Sequence, residues 1–294
     1  MPTLKDKLSE ARSLLDKAFE EKLALPEGKE KRLVEAMRYS TIGGGKAFRA
    51  FLALTVGEML GLKKESAIEI ATALEMVHTF SLIHDDLPAM DNDTMRRGKP
   101  TNHVQFDEAT AILAGDALVI NAFEVLSKAE GLSAKVRCRL VTFLAEMAGK
   151  YGMCGGQMLD LIGEKESLNL EEIKHLQTKK TGALLRFAVV APAIAVDAEE
   201  TNQKALEKYA DCIGLMFQMT DDILDIEGDE KLMGKTLGKD KAETKSTFVS
   251  LMGLKATRQK AYQLGEEAKK ALESFGKKAD LLIKASDFIL ERKN

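Results

Sequence analysis

Twice in this 294-residue chain an apolar, helix-patterned run ends abruptly in paired aspartates. The first is His78-Thr-Phe80-Ser81-Leu-Ile-His84-Asp85-Asp86-Leu-Pro88-Ala-Met-Asp91-Asn92-Asp93. The second is Ile213-Gly-Leu-Met-Phe-Gln218-Met-Thr-Asp221-Asp222-Ile-Leu-Asp225. Adjacent carboxylates beside apolar surface are costly unless cations compensate. A fold for this sequence must bury both runs and still bring their acidic ends to positive charge. Asp221 and Asp225 share a helix face, with Gln218 one turn earlier on it. Asp85 and Asp91 would lie on different faces of a continuous helix. Pro88 disfavours helical backbone at Leu87, so the chain leaves the helix there and a loop can return Asp91 beside Asp85.

The rest of the chain is also patterned for helix. Proline is scarce (5 residues), tryptophan is absent, and long stretches are rich in Ala, Leu, Glu and Lys, which favours helix over sheet. Helical spacing runs through 4–24, 31–40, 47–60, 65–84, 107–129, 134–163, 170–196, 200–226, 245–274 and 277–292. Loops are predicted at 87–102 and 227–244. No strand alternation, tandem repeat or long polar linker is evident. The expectation is an all-α, single-domain chain over 1–294, with roughly a dozen helices.

A net charge of −3 gives no polycation for nucleic acid. Cys138, Cys154 and Cys212 lack metal-ligand spacing and read as reduced thiols. The N-terminus lacks the apolar stretch of a signal peptide, and the longest apolar run, 187–196, is about half a membrane span. A cytoplasmic protein without a membrane span is expected.

Hard oxygen donors suit Mg²⁺, which binds through a few carboxylates plus substrate phosphate. EF-hand spacing is missing from both clusters. A solvated helix end would explain one such cluster, but it explains two at the ends of low-charge helices poorly. Cations recur next to glycine: Lys46 and Arg49 after Gly43–Gly45, Arg96 and Arg97 before Gly98, Lys180 before Thr181-Gly182, and Lys235 and Lys245 around the second loop. The first is no Walker A loop, because no Ser or Thr follows Lys46. Each cation alone is ordinary surface charge. Together with two acidic clusters they point to Mg²⁺ and a diphosphate substrate, with phosphoryl transfer an alternative.

Specific motifs then add a resemblance. GGK–x–x–R at 44–49, SLIHDDLPAMDND at 81–93, RRGKPTNH at 96–103, AGDAL at 114–118, GMCGGQ–x–x–D at 152–160, KTGAL at 180–184 and FQ–x–x–DDILD at 217–225 span most of the chain. The sequence resembles the bacterial-type farnesyl diphosphate synthases, trans-prenyltransferases of the polyprenyl synthetase family. The resemblance implies an isoprenoid synthase fold around a central cavity, a homodimer, and condensation of isopentenyl diphosphate with an allylic diphosphate by ionisation, condensation and elimination. It implies three Mg²⁺ ions, with Asp85 and Asp91 ligating two, Asp221 the third, and Asp86, Asp222 and Asp225 in support. Arg96, Lys180 and Lys235 would hold the allylic diphosphate. Lys46, Arg49, His78 and Arg97 would hold isopentenyl diphosphate. Thr181 and Gln218 would face the reacting carbons, and Lys245 and Arg292 would help close the site.

The pattern is not complete. Ala47 and Ala50 stand where the family's GGKRxRP has Arg and Pro, Thr94 replaces an acid, Thr220 replaces a second Gln, and Phe248 replaces Tyr. Product length has two candidate determinants. The resemblance points to Phe80 as the floor for a fifteen-carbon product. Helical periodicity selects Ser81, which lies about 40° from Asp85 on the helix against about 140° for Phe80. A geranylgeranyl or geranyl diphosphate synthase is the alternative enzyme. A regulatory subunit of a heteromeric synthase is the non-enzyme alternative, but such subunits typically lose aspartates.

Overall fold

The apolar periodicity becomes helices packed on one another. The structure is a computed structural model that describes residues 3–233 and 246–292. Among those residues are fourteen α-helices, two of them single turns, in keeping with the all-α expectation. The one departure among the described residues is a two-residue antiparallel ribbon. It consists of β1 (Met95–Arg96) and β2 (Lys99–Pro100), in a segment read as loop. The chain divides into two compact units, Met1–Leu144 with Ala191–Asp197, and Ala145–Val190 with Ala198–Asn294.

The first unit contains α1 (Leu4–Lys22), α2 (Lys31–Thr41), α3 (Phe48–Leu60), α4 (Lys64–Asp85), α5 (Asn102–Gln105), α6 (Glu108–Lys128) and most of α7 (Ala134–Ala148). A capping box starts α1: Thr3 accepts from the Asp6 amide, and the Asp6 carboxylate accepts from the Thr3 amide. α4 is the central helix, packed against α3 and α6, with Ile70, Leu74, Met76 and Val77 wholly buried. Each such side chain contributes about 1.5–3 kcal/mol. α4 and α6 are both long and apolar enough to cross a membrane, which a search for unbroken apolar runs overlooks. The apolar stretch of α4 is 67% buried within the protein and that of α6 only 39%. Leu113 and Ile120 of α6 stay exposed.

The second unit contains α8 (Met153–Gly163), α9 (Leu170–Gln177), the first part of α10 (Ala183–Ala195), α11 (Glu200–Met233), α12 (Phe248–Met252), α13 (Leu254–Ala271) and α14 (Asp280–Glu291). α11 packs along α13 and α14. The buried Tyr209 hydroxyl of α11 donates to the Leu282 carbonyl at 2.8 Å.

Several boundaries differ from the sequence reading. The helix expected over 134–163 breaks after Ala148, and a side chain at Gly152 would press to 2.0 Å from the Met147 carbonyl oxygen. The helix expected over 170–196 is interrupted by a π-helical turn, Thr178–Gly182. α11 runs through Met233, so 227–233, expected as loop, are helical, and 234–244 lie outside the described residues. The helix expected over 245–274 is two helices meeting at Gly253, whose φ of 80° no other residue adopts easily. Lys235 and Lys245 lie outside the described residues.

Candidate active site

In the first unit, α4 ends at Asp85 and the chain turns back on itself. The Asn92 amide donates to the Leu87 carbonyl at 3.1 Å, and the Asp91 amide to the Asp85 carbonyl at 2.9 Å. The turn after Pro88 thus returns Asp91 to Asp85, as the sequence suggests. Asp86 points inward, 2% exposed, and is fully engaged by Arg96. Arg96 Nε donates to both Asp86 oxygens at 2.8 and 2.9 Å, and Nη2 lies 2.6 Å from Oδ1. This ion pair holds the Arg96 guanidinium near Asp85 and Asp93 and raises its pKa.

Arg97 follows in the tight turn of the β-ribbon with φ of 54°. Its guanidinium lies against the glycine loop before α3. A Cβ at Gly44 would come within 2.8 Å of it and one at Gly45 within 2.7 Å. Arg49 Nη1 meets His78 Nε2 at 3.3 Å. A guanidinium only donates, so Nε2 accepts and the ring is neutral. Burial, then the positive charges of Arg49, Arg97 and Arg96, hold the His78 pKa well below its usual value. Lys46 is exposed on the same loop. These assigned groups therefore gather in one unit.

Sequence reasoning missed Glu75, which lies beneath them. It is buried on α4 and accepts from the Ala50 amide at 3.2 Å. Burial raises its pKa, against the opposing pull of Arg49, Arg12 and Arg97. α3 has no side-chain N-cap of its own, since Ala47 stands there, so Glu75 serves one of its orphan amides. The signal was available: Glu75 is an acid inside an otherwise apolar helical run. Ser81 and Phe80 are both half-buried. The Ser81 hydroxyl turns back to the His78 carbonyl at 2.9 Å. Phe80 packs edge-on against His84 with ring centroids 4.9 Å apart.

In the second unit, α11 carries Gln218, Asp221, Asp222 and Asp225. Gln218 Nε2 donates to Asp222 Oδ1 at 2.9 Å, and the other Asp222 oxygen accepts from the Phe248 amide at 2.8 Å. Gln218 Oε1 accepts from the Thr181 hydroxyl at 3.4 Å. Thr181 and Lys180 stand on the π-helical turn, a distortion common at functional sites. Lys180 pairs with Asp160 of α8 at 2.6 Å, and Asp160 is 4% exposed. Asp160, which sequence reasoning quoted only within a motif, is therefore the residue that aims Lys180. A cleft in this unit is lined by Asp160, Lys180, Gln218, Asp222 and Asp225.

Asp221 pairs with Arg292 Nη2 at 2.7 Å, and Arg292 also donates to the Phe217 carbonyl and covers the Phe217 ring. The Asp221 pKa is nevertheless pushed up to about 6. Burial is the largest cause; Arg292 opposes it, and the neighbouring Asp225 and Asp222 add to it. Burial therefore outweighs the Arg292 charge at Asp221. Among the described residues no three His, Cys, Asp or Glu side chains are grouped to hold a metal unaided. Paired hard carboxylates fit Mg²⁺, whose coordination is completed by water and substrate phosphate.

Comparison with known proteins identifies the relatives of this arrangement. The polyprenyl synthetase family pattern matches residues 30–283. The farnesyl diphosphate synthase of Haemophilus influenzae is 43% identical over 292 residues, covering 98% of each chain. The geranylgeranyl diphosphate synthase of Cyanophora paradoxa is 42% identical, covering 92% of this chain and 91% of its own. The crystal structure of an FPP/GFPP synthase from Zymomonas mobilis, 40% identical, superposes with a TM-score of 0.90 over 98% of each chain.

The π-helical turn depends on close backbone approach. A Cβ at Gly156 would lie 2.2 Å from the Lys180 amide nitrogen, and one at Gly214 would lie 3.0 Å from the Gly182 Cα. Gly156→Ala is expected to destabilise the protein by about 1–3 kcal/mol, the usual range for overpacking. Denaturant unfolding measures this; an unchanged midpoint would show that the turn does not need the glycine.

Proposed function

The chain belongs to the polyprenyl synthetase family, and from that premise we propose that it condenses isopentenyl diphosphate with dimethylallyl and geranyl diphosphates to give farnesyl diphosphate. It has the isoprenoid synthase fold of that family, and the family match crosses both units, which supports reading 1–294 as one polyprenyl synthetase domain. The observation that carries the function is that α4 ends in aspartates, α11 carries a second set within it, and each unit sets a cation anchored by a buried acid beside them. Asp86 anchors Arg96 in one unit and Asp160 anchors Lys180 in the other.

The family is Mg²⁺-dependent. Three Mg²⁺ ions are proposed here, with Asp85 and Asp91 as ligands in the first unit, Asp221 and Asp225 in the second, and Asp86 and Asp222 in support. When bound, Mg²⁺ supplies Lewis-acid neutralisation of the leaving diphosphate. Arg96 and Lys180 add fixed positive charge for the allylic diphosphate. Lys46, Arg49 and Arg97 bind isopentenyl diphosphate, with neutral His78 orienting Arg49. Thr181 and Gln218, linked by a hydrogen bond, present oxygen lone pairs that stabilise positive charge on the reacting carbons.

A homodimer is supported by Leu113 and Ile120, which line one exposed face of α6. A single-protomer mass by light scattering would overturn that assignment. A cytoplasmic location is part of the same proposal, and reading α4 and α6 as packed core and interface helices rather than spans is in keeping with it.

Asp85→Ala and Asp221→Ala are each expected to lower turnover by about three orders of magnitude, equivalent to about 4 kcal/mol of transition-state stabilisation. Helical content should be unchanged by circular dichroism, and EDTA should abolish wild-type turnover. Near-normal turnover in both variants would sink the metal assignment.

Product length is the second test. The geranylgeranyl synthase among the relatives keeps a twenty-carbon product as the rival reading. With Phe80 as the floor, wild-type product is fifteen carbons long and Phe80→Ala extends it to twenty or more, read by chromatography. If Phe80→Ala still stops at fifteen while Ser81→Phe shortens the product, Ser81 is the floor instead.

A further inference from the structure

The glycine loop that presents Lys46 is held from outside the matched family segment. Gly43 and Gly45 have φ of 70° and 69°, and Ala47 stands in the left-handed region at 50°. Glycine loses more conformational freedom on ordering than any other residue, so three in succession do not fix a cation by themselves. The anchors come from α1, which ends before residue 30, where the family match begins. Asp16 Oδ1 accepts from the Gly43 amide at 2.8 Å. Arg12 Nη1 donates to the Gly44 carbonyl at 2.7 Å, and its Nη2 donates to the same Asp16 oxygen at 2.6 Å. Consecutive loop residues are thus gripped at one amide and one carbonyl by two side chains a single turn apart on one helix.

The grip lies next to the cations already described. Gly44 carries the Arg12 contact on its carbonyl, and a Cβ at Gly44 would meet the Arg97 guanidinium at 2.8 Å. The Arg12 guanidinium is itself fixed, 5.8 Å from the Phe19 ring centroid, with a third contact to the Thr41 carbonyl at 3.4 Å. Its charge reaches both Arg97 and Glu75. The Arg12–Asp16 pair is partly buried, and each partner also reaches the loop backbone.

We infer that Arg12 and Asp16 of α1 are positioning residues for isopentenyl diphosphate, clamping the Gly43–Gly44 backbone so that Lys46, Arg49 and Arg97 hold a diphosphate-binding arrangement. The inference rests on the assignment of those three cations to isopentenyl diphosphate. Asp16→Ala removes the acceptor for the Gly43 amide, and Arg12→Ala removes the donor to Gly44. Both leave every proposed substrate contact in the sequence.

Steady-state kinetics with both substrates varied, on the full chain, tests this. Asp16→Ala and Arg12→Ala are expected to raise KM for isopentenyl diphosphate about tenfold, the low end of what a hydrogen bond to a charged group contributes. KM for dimethylallyl diphosphate and kcat should stay within about twofold, which also reports that the variants fold. Asp16→Asn keeps an acceptor oxygen for the Gly43 amide and should recover most of the loss. Equal shifts in both KM values, no shift in either, or no recovery with Asn would overturn the clamp. Arg49→Ala, run alongside, separates the two levels. If it raises KM for isopentenyl diphosphate while Asp16→Ala does not, the clamp alone fails. If Arg49→Ala has no effect on that KM, the underlying site assignment fails.

Discussion

The structure depends on setting cations against carboxylates that its helices carry inward. Asp86 takes Arg96, Asp160 takes Lys180, Asp221 takes Arg292, and Glu75 sits under Arg49 and Arg97. Breaking a buried pair by removing one partner typically costs about 3–5 kcal/mol, because the survivor stays buried and uncompensated. That same cost fixes the cations. Long, rotamer-rich Arg and Lys side chains would otherwise be mobile at the surface; here each is bound to an acid on another segment and so held in one direction. The expense of burying acids is thereby converted into preorganised positive charge.

Much of this was legible in the sequence, and the physical reasons differ from case to case. The turn at Asp85–Asp91 follows from Pro88 alone, because the restriction it imposes on Leu87 is local. The all-helical architecture follows from periodicity. The break after Ala148 was hidden because the apolar pattern continues in phase through 134–163, and only the Gly149 and Gly152 positions mark it. The π-helical turn at Thr178–Gly182 leaves no signature in spacing, since one extra residue per turn over five residues is lost in the noise of the pattern. Glu75 could have been found as a lone acid in an apolar run.

Other features had no sequence signal. Asp160 looked like any motif aspartate until α8 and the π-helical turn were seen to bring it to Lys180. Arg12 and Asp16 look like a routine i, i+4 pair on an amphipathic helix; their contacts to residues 43 and 44 are purely tertiary. The apolar content of α4 and α6 satisfies a length criterion for membrane helices, and only burial separates them. α4 is enclosed by its neighbours, whereas α6 has an uncovered apolar strip.

The amide of Ala50 does more than begin a helix. The family motif to which this segment is similar ends in proline, a residue with no N–H to give. In this chain the Ala50 N–H is the donor that reaches the buried Glu75 carboxylate. Proline at position 50 would take that donor away from the buried Glu75 carboxylate. Position 50 and position 75 are therefore linked through one hydrogen bond, and the backbone N–H at position 50 is part of what satisfies the acid at position 75.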